Sequence, residues 1–363
     1  ALVKDLLTPL IAAIAQVPLT LASHVTILTG LRPYRHGVRT NDGFRLGAAT
    51  PTLAEAFHAA GYTTGAFVGA YPLASSTGLD RGFDRYDDDF LRTAGATSQT
   101  VERRAGEVVD AALAWIAERP PSTPCFVWLH LFDPHTPYDP PPPYQAEYRD
   151  RPYDGEVAYT DASIGRFFEG LRALHVFDRA IVAVVADHGE GLGEHGELTH
   201  GTFLYDATIR VPLIIRVPGR GATRSVVKVP VETTDLAPTL AALAGVRLPD
   251  GLDGISLAPL IDGAAGDPER ATYAESYYQC VLLGWSPLRA VRTARWKYIE
   301  APRAELYDLQ ADPGEQRNEV STRAGLVRGL AAALPLPVAP SGHDASHAGT
   351  RSVSRDAAER LRS

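Results

Sequence analysis

Methionine is absent from all 363 residues, so Ala1 is not an initiator and the chain is expected to be processed or cropped. Cysteine is nearly absent. Cys125 and Cys280 stand far apart, in segments that both read as strands, and they favour buried free thiols over a disulfide. An excess of basic charge is also missing: 35 Lys and Arg against 43 Asp and Glu give a net charge of -8, which excludes the basic face of a nucleic-acid binder. No span of eighteen apolar residues, no signal peptide and no internal repeat is present, although the lack of a leader is uninformative where the start is missing. What remains is 45% hydrophobic and 21% charged, enough for a sizeable core in one large domain, or one large and one small.

The apolar and turn pattern alternates helix and strand. Leu2 to Ala15 reads as a helix tail broken by Pro9, and Ser23 to Thr29 as a short helix ending at Gly30. Thr52 to Ala60 has helical spacing and a stop at Gly61, followed by a strand over Thr63 to Ala70. Val101 to Glu118 reads as a long amphipathic helix, Cys125 to Phe132 as a buried strand and Gly155 to Leu174 as a helix. Ala180 to Ala186 then gives a buried parallel strand, Pro212 to Val217 another strand, and Thr234 to Ala244 a helix closed by Gly245. Strand-like pieces at Thr272–Ser276, Leu288–Thr293, Trp296–Glu300 and Glu305–Leu309 predict a small antiparallel sheet, with a last helix over Thr322–Leu334. These readings place a large α/β region at 1–268, an antiparallel subdomain at 269–334 and a flexible tail at 335–363.

Chemistry gathers at strand ends. The run Ala180 to Ala186 passes directly into Asp187-His188-Gly-Glu190, with His195 and His200 close behind and glycines at 189, 191, 193 and 196. A carboxylate beside an imidazole is a donor pair suited to a divalent ion. Two other segments end in Thr20, Ser23 and His24 and in Asp133 and His135. Polar residues converging from several strand ends are how an active site is built on an open α/β sheet.

As a set, Thr-Leu-Ala-Ser-His24 with Thr29-Gly30, Pro33, His36-Gly37 and Asn41, then Leu-Ala-Glu55, Ala-Gly-Tyr62, Gly-Phe-Asp84, Asp-Pro-His135, Asp-His-Gly-Glu190 and Glu-Leu-Tyr-Asp-Leu309, resembles the sulfatase family of the alkaline-phosphatase superfamily over about residues 5 to 320. The resemblance implies an α/β sandwich of the alkaline-phosphatase and sulfatase kind, with a mostly parallel central sheet and a small C-terminal antiparallel subdomain. It implies a metal-dependent hydrolase of sulfate, phosphate or phosphonate esters. Thr20 takes the nucleophile's place and is bound to the metal; Asp187 and His188 match metal ligands. His200 matches the residue that steadies the bridging oxygen, and His135 and Asn41 match positions of the oxyanion pocket. His24 falls where the family's motif carries its Arg, on the substrate side. The ion, zinc, manganese, calcium or magnesium, would activate a bound hydroxyl and offset charge on the transferring group, and a histidine near neutral pKa can protonate the leaving oxygen.

The departures are informative. Formylglycine enzymes need Cys or Ser in a Cys/Ser-x-Pro-x-Arg motif, and Thr20 cannot be converted to formylglycine. The family's Gly-Lys-Trp-His element is replaced by Phe67-Val-Gly-Ala70. With both cationic anchors changed, the pattern is nearer to the superfamily's phosphodiesterases and phosphonate hydrolases. The family's first central strand, which ends in metal-binding aspartates, would precede Ala1, and Asp5 is a poor substitute. The end at Arg360-Leu-Arg-Ser363 resembles the helix that precedes tetratricopeptide repeats in bacterial relatives of this kind.

Several assignments stay open on the residues alone. Thr20 can also cap a helix or turn, His200 can be a surface loop residue and His135 a turn residue. His195 reads as loop surface, His36 as pocket wall or support, and His130 as either a core histidine or a ligand. Asp133 is placed to orient His135, and Asp87-Asp-Asp89 reads as a solvated face. The partner implied is a small ester, with no nucleic acid; a periplasmic or membrane-anchored location is favoured because relatives are often exported. The rival reading from another class is a non-catalytic sulfatase-like binding or scaffold protein.

Overall fold

The computed structural model describes residues 10–89, 102–120, 122–219 and 227–338. Their strands are β1 (Leu10–Ile14), β2 (Thr63–Phe67), β3 (Arg85–Asp87), β4 (Cys125–Leu129), β5 (Val182–Val185), β6 (Arg210–Arg216), β7 (Val227–Glu232), β8 (Thr272–Ser276), β9 (Leu288–Arg292), β10 (Trp296–Glu300) and β11 (Glu305–Asp308). The helices that matter for the site are α1 (Thr20–Thr29), α2 (Leu53–Ala59), α3 (Ala105–Ala117), α4 (Pro152–Ala173), α5 (Leu236–Ala244), α6 (Tyr278–Leu283) and α7 (Ala324–Ala332).

Local chemistry explains most of these elements. Thr52 caps α2: its hydroxyl accepts the Glu55 N–H while the Glu55 carboxylate accepts the Thr52 N–H, a reciprocal capping box. Both α1 and α5 stop on a left-handed glycine, Gly30 at φ 67° and Gly245 at φ 69°. Every residue of α1 is buried, and the hydroxyls of Thr26 and Thr29 are satisfied by the carbonyls of Ala22 and Val25 one turn back.

The segment 10–14 is a strand, not the helix tail its alanines suggest. A five-residue apolar run carries too little periodicity to choose between the two. Here the choice is made by neighbours, since β1 pairs antiparallel with β6 on one side and parallel with β7 on the other. β5 and β7 run the same way as β1, with β6 opposed. The Ala180–Ala186 segment thus has the expected direction, but β6, its partner in the ladder, is antiparallel to it.

The central layer comes in two parts, ordered β5-β6-β1-β7 and β3-β2-β4, the second wholly parallel. Each part ends in a free edge, β5 on one and β4 on the other, and no ladder joins them among the described residues. Between these edges lies a cavity of about 1200 Å³, walled by β4 and β5 and closed by apolar side chains such as Ile27, Phe57, Phe168 and Leu240 from the flanking helices. It explains why β4 and β5, apolar strands with helices packed on them, are only half-buried along their length. The cavity opens onto Thr20, Asp187 and His188.

The strands β8 to β11 form the expected four-stranded antiparallel sheet, in the order β11-β10-β9-β8, with α7 packed on β10. Buried charge ties it to the large layer. Arg39 meets Glu275 at 2.5 Å, and Lys297 reaches both Asp206 and Glu315. Cys280 lies on α6 rather than on a strand, and both thiols are free and half-buried. Asp87 is no solvated acid either: it is buried between Arg85 and Arg103. No described helix is long and apolar enough to cross a membrane. Most of the tail at 335–363, including Arg360 to Ser363, lies outside the described residues, as does Asp5.

Candidate active site

Thr20 is the first residue of α1, and the start of that helix is held in place by Asn41 and by the end of β5. Asn41 Oδ1 accepts the Leu21 N–H at 2.8 Å and so caps the helix from outside. The Asn41 carbonyl oxygen is thereby engaged, and the residue does not line the cavity. Ser23 Oγ donates to the Asp187 carbonyl at 2.6 Å, which fixes the end of β5 against α1.

Four histidines surround the mouth of the cavity with a common orientation. His24 Nδ1 donates to the Thr20 carbonyl at 2.8 Å, His188 Nδ1 to the Gly189 carbonyl at 2.9 Å and His135 Nδ1 to the Thr136 carbonyl at 2.7 Å. His200 Nδ1 lies 3.0 Å from the Glu190 carboxylate. Each acceptor takes the Nδ1–H and leaves Nε2 to face the rest of the site. The His188 Nε2 lies 3.5 Å from Thr20 Oγ1 and 3.5 Å from Asp187 Oδ2. The rings are close: His188 to His200 4.2 Å and His135 to His200 5.3 Å between centroids.

Burial would raise the Asp187 carboxyl, but His188, His24 and His130 outweigh it and hold it at about 2. Burial, with His200 next to it, lowers His135 to about 4. His188 is also lowered, by burial that the Asp187 carboxylate only partly offsets. Both imidazoles are therefore neutral at pH 7, in the form that offers a lone pair.

Gly189 makes the turn after His188 possible. A Cβ there would stand 2.1 Å from the Ala207 carbonyl oxygen, so no other residue fits.

Thr20, His24, His135, Asp187 and His188 all line the cavity, while His200 lies against them through its ring contacts. Other residues have different duties. His36 is buried and structural: it accepts the Val38 N–H on Nδ1 and meets Thr26 Oγ1 at 3.0 Å through Nε2. Asp133 does not orient His135; its carboxylate accepts the Ala105 N–H at 2.8 Å and caps α3. His195 stacks on Tyr205 with centroids 3.5 Å apart, and His130 accepts the Gly69 N–H. Sequence reasoning missed Glu156, whose carboxylate accepts the N–H groups of His135 and Asp139 and so pins the loop that carries His135. Its signal was an acid on the buried face of α4, in line with Ser163 and Leu171.

Asp187, His188 and Thr20 supply the kinds of donor that a divalent ion takes. Their number falls short, since among the described residues no group of three or more His, Cys, Asp or Glu side chains stands where it can hold a metal.

The chain matches the sulfatase family model over residues 11–246 and the model described as N-sulphoglucosamine sulphohydrolase, C-terminal, over 193–328. It is 32% identical over 183 residues to the choline-sulfatase of Rhizobium meliloti, covering 49% of this chain and 34% of that protein. To the Delta 4,5-hexuronate-2-O-sulfatase of Bacteroides thetaiotaomicron it is 36% identical, covering 38% and 30%. The chain thus spans about a third of the length of these curated relatives. The fold is that of the phosphonate monoester hydrolase of Agrobacterium radiobacter, with a TM-score of 0.73, 22% identity and coverage of 91% and 88%. The chain also matches a protein solved with its substrate D-glucosamine-2-N,6-O-disulfate at a TM-score of 0.76, with 21% identity and coverage of 90% and 89%. On the family match and the shared α/β fold, the chain belongs to the sulfatase family.

Proposed function

We propose that this chain carries the catalytic part of an ester hydrolase for sulfate, phosphate or phosphonate esters, with Thr20 as its nucleophile. The observation that supports it most is the placement of Thr20 Oγ1 at the head of a buried helix, 3.5 Å from the lone-pair nitrogen of His188. In this reading the Thr20 hydroxyl gives up its proton to solvent and its oxygen bonds to sulfur or phosphorus as the bridging ester bond breaks. The departing oxygen takes the Nε2 proton of His200 in its doubly protonated form, and water then cleaves the threonine ester and restores the Thr20 hydroxyl. His24 and His135 border the transferring group. The relatives' sulfate esters and the phosphonate monoester hydrolase fold both support this class of substrate.

A divalent ion would offset charge on the transferring group; Asp187, His188 and Thr20 are the ligands this chain has for it. The donor shortage has a counterpart in the fold. The strand that the resemblance places ahead of Ala1 is the occupant we propose for the cavity between β4 and β5, where its C-terminal end would reach these same residues.

The test is hydrolysis of three nitrophenyl esters, one sulfate, one phosphodiester and one phosphonate, by the strand-completed protein and its Thr20→Ala variant, with and without chelator. The expected outcome is chelator-sensitive turnover of at least one ester that falls by about 10³-fold or more in the variant. The shortage of ligands favours one rival, a non-catalytic binding protein. Absence of turnover on all three esters with no metal bound would establish that rival.

A further inference from the structure

Glu190 lines the cavity, is buried and has no part in the mechanism above. Its neighbours show what buried carboxylates ordinarily do in this protein. Glu156 accepts the backbone N–H groups of His135 and Asp139, and Glu197 accepts those of Thr202 and Phe203; each pins a loop. Among the described residues Glu190 accepts no backbone N–H. Its neighbours are side chains, the His200 ring at 3.0 Å and the Tyr138 hydroxyl.

The same contrast holds from the histidine side. His24, His135 and His188 direct Nδ1 to backbone carbonyls within four residues of themselves, so their rings are set by local chain geometry. His200 directs Nδ1 to a carboxylate ten residues earlier, across the glycine-rich loop. An ionised carboxylate only accepts, so this contact requires a proton on Nδ1, and a second proton, the one that can be donated, then sits on Nε2. A carboxylate behind an imidazole is a general means of fixing its tautomer and rotation.

We propose that Glu190 is the positioning residue for His200, holding its Nδ1–H so that Nε2 is the nitrogen presented to the ester's leaving oxygen. The inference rests on the assignment of His200 to the leaving group. Glu190 itself touches neither substrate nor reacting atoms.

The test has two readouts. Nitrogen-15 long-range spectra of the histidine-labelled chain, recorded at a pH where the ring is neutral, report the His200 tautomer, without any need for turnover. The expected result is an Nδ1–H tautomer in the unaltered chain and in Glu190→Gln, whose amide oxygen can still accept, and its loss in Glu190→Leu. An Nδ1–H tautomer that survives in Glu190→Leu overturns the proposal. Kinetically, Glu190→Leu is expected to lower kcat about 10- to 100-fold for an alkyl ester, whose leaving group needs a proton, and far less for a nitrophenyl ester, with KM nearly unchanged and Glu190→Gln close to the parent. An equal loss on both esters in Glu190→Leu, with no rescue in Glu190→Gln, also overturns it. If the unaltered protein hydrolyses no ester, the proposed function fails, and the tautomer still decides whether Glu190 positions His200.

Discussion

Filling the space between β4 and β5 is the perturbation with the largest predicted effect on stability. A strand of about five residues, matching the lengths of β4 and β5, would bury roughly 600 Å² of apolar surface, or about 15 kcal/mol at 25 cal/mol per Å². Ordering those residues costs about 10 kcal/mol. The net gain is about 5 kcal/mol, comparable to the whole stability of many domains. The assay is urea unfolding of the chain as it stands and of the chain extended upstream of Ala1 by an apolar strand, followed by near-ultraviolet circular dichroism and dye binding to exposed apolar surface. The extension should raise stability by several kcal/mol, suppress dye binding and lose both effects when its apolar residues become serine. A gain below about 1 kcal/mol, the same with either extension, would refute the reasoning.

Two more outcomes rest on single residues. Burial, with Arg39 nearby, lowers His36 to about 3, whereas an unfolded histidine titrates near 6.5. Between these values the unfolded chain binds a proton that the folded one refuses, so stability is full above pH 6.5 and falls by on the order of 4 kcal/mol as pH drops to 3. Urea midpoints measured against pH should slope less steeply in His36→Gln; identical slopes contradict the assignment. Gly189→Ala drives a methyl group into the Ala207 carbonyl oxygen and should displace His188, costing about 2 kcal/mol or more. An unchanged melting temperature together with unchanged activity would show that the loop gives way freely.

Where local chemistry decides, the sequence was sufficient. The capping box at Thr52, the stop at Gly245 and the alternating apolar residues of β8 to β11 all signal their elements without help from the rest of the chain. β1 was misread because Leu10–Ile14 has the composition of a helix and becomes a strand through β6 and β7, some 200 residues away. The convergence of Thr20, Asp187, His188, His135 and His200 was visible as polar groups at segment ends. The duties of Asp133, Asn41 and His36 were not, because each caps or braces an element through a contact that only the fold creates. Asp87 shows the same limit: its burial depends on Arg103, sixteen residues on.

The central claim is that Thr20 forms a bond to the transferring group. Its most direct test is acid quenching of the strand-completed protein during turnover, followed by digestion and mass spectrometry of the peptide that contains Thr20. The account predicts a sulfuryl or phosphoryl adduct on that residue, absent from Thr20→Ala. Turnover at full rate in Thr20→Ala, with no adduct on the Thr20 peptide of the parent, would contradict it.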